Sequence, residues 1–197
     1  MPNPSQPEPL APDLRGQLLQ SLNAQYFGLA TQTGAFVIIA NLLIAGTFYL
    51  RYGKPSILLW AAAAVLLPLV RIRLGARYRR EVHAHADAQL WERRAFGITM
   101  LIALVYAAGL LVLFEDGSPI YNGLLTGCYV MMISSAAASA SAMKRTMLGF
   151  CGVMGVSLVV RLAVSEHPVY WLAAIAAGVY TAAQMVFGLQ NHRLLAA

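Results

Sequence analysis

Among the polar side chains inside otherwise apolar runs of this sequence, five stand out: Arg161, Asn41, Tyr106, Tyr129 and Tyr180. Arg161 is the only ionised group there, and its guanidinium suits an anion or another hydrogen-bond acceptor. Counted along their runs, Asn41, Tyr106, Tyr129 and Tyr180 fall near the middle. Gln32, Asn122, Thr126, Thr181 and Gln184 share these apolar surroundings. Two readings follow. In one, the polar groups bond helix to helix, because polar groups in lipid must find partners, and Arg161 snorkels to headgroups. In the other, the five converge on an apolar pocket with a few polar anchors. That pocket would lie in the outer half of the bundle, with the headgroup of an acidic lipid-like signal at Arg161.

Other chemistry is thin. His83 and Asp87 are four apart and could share a helix face, but two ligands do not make a metal site. Cys128 and Cys151 lie in apolar runs and read as small packing residues. No Asp or Glu falls within an apolar run, which disfavours an ion-coupled pump. No His lies there to hold a haem, and Lys54 and Lys144 are both at run ends, leaving no lysine for a retinal Schiff base. HExxH, GxSxG in a strand-turn-helix context and a phosphate loop are missing. The expectation is a protein without catalytic residues, cofactor or metal.

The elements that must position these groups follow from composition. Hydrophobic residues make up 59% and charged residues 11% of the 197, against about 25% charged in soluble domains. So few charges cannot cover a soluble protein of this size, and lipid must cover the rest. A span needs about 20 mostly apolar residues. Six segments qualify: Phe27–Leu50, Ser56–Leu74, Phe96–Phe114, Ile120–Ala142, Thr146–Val164 and Val169–Leu189. The expected fold is an all-α integral membrane bundle of six transmembrane helices. Gly123 and Gly127 form a GxxxG pair, with Ala174, Gly178 and Ala182 along one face of the last span; close contacts between spans four and six are expected there. Trp60, Trp91 and Trp171 read mainly as interface anchors.

Arginine sets the orientation. Seven of the fourteen basic residues crowd between Arg71 and Arg94; with Arg15, Lys144, Arg145 and Arg193, eleven fall on one side. Arg51, Lys54 and Arg161 fall on the other. Cationic loops stay in the cytoplasm, so both termini are expected there. The +6 charge then faces anionic headgroups rather than nucleic acid. Residues 1–12 hold five prolines and read as a disordered tail. Between Asp13 and Tyr26, Leu14, Leu18, Leu22 and Tyr26 make an apolar stripe. It suits either a short N-terminal amphipathic helix on the inner leaflet or an extension of span one.

The stretch LLWAAAAVLLPLVRIRLGARYRR (Leu58–Arg80), followed by LWERRAFG (Leu90–Gly97), resembles the N-terminal membrane sensor modules of bacterial diguanylate cyclases and sensor histidine kinases. The likeness rests on hydropathy, Trp91, Arg93, Arg94 and the arginine run. It implies a multi-pass module in the bacterial inner membrane whose last span runs into a signalling helix, here residues 190–197. It also implies a hydrophobic small-molecule or envelope signal and a homodimer through a C-terminal cyclase or kinase domain. No GGDEF motif, phospho-accepting histidine box or ATP lid is present, so no catalytic residue carries over. A small carrier or channel for a neutral or anionic solute, and a scaffold subunit of a membrane complex, are the alternatives.

Overall fold

The computed structural model describes residues 12–81, 88–115, 117–165 and 167–196, without the side chains of 12–15, 30–32 and 196. The proposed tail, His83, His85 and Asp87 and the Gln32 side chain therefore lie outside the described residues. Six helices are described: α1 (Pro12–Tyr52), α2 (Pro55–Glu81), α3 (Ala88–Leu113), α4 (Pro119–Ser139), α5 (Lys144–Ala163) and α6 (Pro168–Ala196). No strand occurs among the described residues. Stretches of α1 (Thr33–Tyr52), α2, α3, α5 and α6, five helices in all, are long and apolar enough to cross a membrane. Large side chains such as Phe36, Leu50, Leu111, Ile120, Leu172 and Ile175 face outward, an exterior suited to lipid.

Local chemistry sets the ends. Helices α2, α4 and α6 begin on Pro55, Pro119 and Pro168, where the missing proline N–H leaves no intrahelical bond unmade. Gly53 takes φ 63° and donates its N–H to the Tyr49 carbonyl at 2.8 Å, closing α1. The fourth apolar run extends to Ala142, but α4 stops at Ser139. The serines compete with the backbone ladder there: Ser139 Oγ bonds the Ser135 carbonyl and Ser141 Oγ the Ala138 carbonyl.

Residues 13–26 do not form a separate amphipathic helix. They continue into span one as part of a 41-residue helix, about 60 Å long at 1.5 Å per residue and twice the thickness of a bilayer core. Leu18, Leu22 and Tyr26 of its stripe pack on protein, and beside them Phe27 stacks on Tyr78 and meets the Trp91 edge. Tyr78 Oη donates to the Gln20 carbonyl at 3.0 Å, and Asn23 Nδ2 to the Ala88 carbonyl at 2.9 Å. Trp91 is thus a buried core residue, as is Trp60, whose Nε1 donates to the Val105 carbonyl at 2.9 Å. Trp171 alone of the three faces outward.

Helix α1 packs on α2, α2 on α3, α3 on α5, and α5 on both α4 and α6. Helices α4 and α6 do meet, as expected, but not through Gly123, Gly127 and Gly178. Gly123 and Gly127 face outward with nothing near a prospective Cβ, and Gly178 approaches Val159 of α5. The tight approaches lie elsewhere. A Cβ on Gly155 would enter Thr181 of α6, and one on Gly109 would come within 2.5 Å of Trp60 Nε1 and 2.8 Å of Tyr129 Oη. A GxxxG pattern marks a smooth helix face without naming its occupant. Gly109→Ala is expected to lower stability in detergent by about 1–3 kcal/mol through overpacking. Gly127→Ala should leave it unchanged or raised, since alanine is the better helix former. Equal losses in thermal denaturation would contradict this packing.

Candidate functional site

Helix α2 contains Pro68 in its interior. A helical proline has no N–H to give to the carbonyl four residues back, so the Ala64 carbonyl is bared at membrane depth. Asn41 supplies the missing donor: its Nδ2 lies 2.7 Å from the Ala64 oxygen and 2.9 Å from Tyr106 Oη. Asn41 is fully buried, and its Oδ1 has no hydrogen-bond partner. Tyr129 Oη donates to the Tyr106 carbonyl. Asn41, Tyr106 and Tyr129 therefore do converge, in a relay that joins α1, α2, α3 and α4.

Tyr180 and Arg161 stand apart from it. The hydroxyls of Tyr180 and Ser134 bond to each other between α6 and α4. Arg161 is half-buried in the last turn of α5. Its guanidinium carbon lies 4.1 Å from the Phe114 ring centroid, a cation–π distance, and its Nη1 donates to Ser165 Oγ at 3.3 Å. Asn122 also has a structural place: its amide bonds the N–H and carbonyl of Glu115 and, at 3.0 Å, Tyr170 Oη.

A cavity of about 360 Å³ opens on the inner side of the relay, walled by α1, α3 and α4 with contributions from α2 and α5. Tyr106 and Cys128 line its middle, and Val37, Ile44, Met132 and Phe150 make much of its apolar wall. At the inner end stand Arg71 and Thr99. Phe36 and Met131, both largely exposed, flank the gap between α1 and α4. Of the five side chains singled out from sequence, Tyr106 alone lines this space, and its charged residue is Arg71 rather than Arg161.

Sequence reasoning misses Arg71 because it groups this residue with the cytoplasmic arginine run. The available signal is its place three residues after Pro68, still on the helix. Its guanidinium carbon lies 4.9 Å from the Tyr26 ring centroid, and Tyr26 Oη bonds Thr99 Oγ1 at 2.6 Å. Arg71 Nε is buried without a hydrogen-bond partner, and no ion pair to Arg71 occurs among the described residues. Gly34 lets α1 and α2 close at this level, since a Cβ there would meet Ile72 Cδ1 at 2.5 Å. Cys128 and Cys151 are free thiols, the latter buried against the Ile133 carbonyl. No cluster of three or more metal-ligating side chains occurs among the described residues.

Comparison with family models, curated proteins and solved structures finds no match to this chain.

The relay is testable by a double-mutant cycle. Asn41→Leu alone is expected to cost about 1–3 kcal/mol, because the Ala64 carbonyl loses its donor. In a Pro68→Ala background the backbone N–H regained at that position restores the carbonyl's helical bond, so the same substitution should cost less. Equal costs in chemical denaturation of both backgrounds would uncouple Asn41 from the proline.

Proposed function

We propose that this chain is a membrane-embedded sensory module of the bacterial inner membrane. It would have six crossing helices and both termini in the cytoplasm. Helix α4 serves as the sixth span. Its 21 residues reach about 30 Å, the thickness of a hydrocarbon core. Its polar Asn122 and Tyr129 are buried while Ile120, Leu124 and Met131 face outward. A helix that turns its polar groups inward can face lipid with a modest overall apolarity. The split of basic residues supports the orientation.

One observation carries the sensory reading. His192, near the end of α6, places Nδ1 2.9 Å from the Ser141 carbonyl. Ser141 belongs to the buried turn just beyond Ser139 and Ala140, which line the cavity. A cavity occupant that shifted the end of α4 would therefore move the carbonyl on which α6 rests. Helix α6 runs unbroken from Pro168 to Ala196, so a displacement at His192 travels along a stiff rod toward a C-terminal output domain. The signal would act by preferring one of two packings of the bundle. The chain itself performs no catalysis in this scheme, and a dimeric output domain would read the change.

A cyclase reporter fused in helical register after Ala197 should respond to signal. It should lose that response when Gly-Ser-Gly-Ser is inserted after Leu189 or when His192 is replaced by Ala. Output indifferent to both changes, together with solute flux into liposomes, would favour a carrier. Topology reporters after Ala197 and in the Glu115–Pro119 turn should report opposite sides; agreement between them would remove one span.

A further inference from the structure

The geometry points to a single-chain amphiphile with a carboxylate head as the ligand of the α1–α3–α4 cavity, its carboxylate on Arg71. The assignment rests on the sensory reading only for what binding does, not for the binding itself.

The inner end of the cavity holds a cation with no anionic partner among the described residues. Arg71 Nε–H is buried and unpartnered, and the guanidinium meets an aromatic face rather than a carboxylate. Further along the cavity, Tyr106 Oη accepts from Asn41 Nδ2, which leaves its own hydrogen available. The Tyr26–Thr99 hydroxyl pair uses one of its two hydrogens in the mutual bond, and Thr99 lines the cavity. A half-buried cation with surplus donors around it calls for an anionic acceptor. Guanidinium and carboxylate match in shape and can form two parallel bonds.

The rest of the space is apolar: Val37 and Ile44 on one wall, Met132 and Phe150 on the other. Methionines adapt to a flexible chain. A volume of about 360 Å³ lies at the low end of the roughly 300–1,000 Å³ of ligand pockets, which suits one acyl chain and not a two-chain lipid. The gap flanked by Phe36 and Met131 opens sideways between two membrane helices, so the ligand enters from the bilayer.

The test uses the full chain in phosphatidylcholine nanodiscs and radiolabelled dodecanoate. Saturable binding near one per chain is expected, with dodecan-1-ol competing poorly. Arg71→Gln should weaken binding by about tenfold or more, the worth of a charge-assisted bond, while Arg161→Gln should not. Occupancy should also slow maleimide labelling of Cys128, located by mass spectrometry. If Arg71→Gln misfolds, Ala136→Phe keeps the charge and fills the cavity, and it should abolish binding. Non-saturable partitioning, equal competition by the alcohol, or unchanged binding in Ala136→Phe would overturn the assignment. So would displacement of dodecanoate by phosphatidylglycerol in an Arg71-dependent manner, which would make the occupant a lipid headgroup. Arg71-dependent binding without any reporter response would leave the ligand assigned and refute the sensory reading instead.

Discussion

The bundle is organised around one bared backbone carbonyl. Pro68 removes a hydrogen bond from the middle of α2, and in lipid no water replaces it. Asn41 reaches across from α1 to the Ala64 oxygen and is thereby fixed in register with α2. The same amide nitrogen holds Tyr106 of α3. Tyr129 of α4 and Trp60 of α2 then donate to the carbonyls of Tyr106 and Val105. Each bond runs from a side chain to a neighbouring helix at the level where lipid offers no competitor. Four helices are tied by this relay without any buried ion pair among the described residues.

A cavity follows from the same arrangement. The relay draws α1, α2, α3 and α4 together at mid-depth, and Gly109 makes room for the two side chains that cross there. Below it, α5 packs on α3 and α4 while α1 and α4 barely meet. The wedge that remains is lined by the flexible ends of Met131 and Met132 and by one guanidinium. The arginine-rich end of α2 and the facing parts of α1 and α3 are closed by the Tyr26, Phe27, Tyr78 and Trp91 aromatic cluster. The space therefore lies between two well-packed layers, and its free side is the gap toward lipid.

The helical architecture is legible in the sequence because hydropathy and turn residues act locally. Gly53, Gly117 and the three helix-opening prolines mark their boundaries by backbone chemistry alone. The joint role of Asn41, Tyr106 and Tyr129 is partly legible, since depth can be counted along each span. Which glycines touch, and where Arg71 points, depend on helix rotation, which no local rule supplies. Gly123 and Gly127 carry the familiar spacing and face outward, while Gly109 and Gly155, neither with a glycine four residues away, mark close approaches. Arg161 draws attention for standing alone in an apolar run, yet Phe114 and Ser165 account for it.

Arg71 also shows how one residue can satisfy two demands. As the first arginine of a basic run it is of the kind that keeps loops in the cytoplasm during insertion. A residue serving only that purpose would be indifferent to rotation and would extend its head to water or phosphate. Arg73 and Arg80, further along the same helix, are exposed. Arg71 instead lies over Tyr26 with Nε removed from solvent. Burying a charge is unfavourable unless something compensates it, and a ring face compensates only in part. The remaining imbalance is located at the inner end of an apolar cavity, and the wall of that cavity continues into the turn on which His192 rests. Charge, cavity and the end of α6 are thus neighbours along α4, and a ligand that neutralised the first would act within two residues of the carbonyl that holds the last.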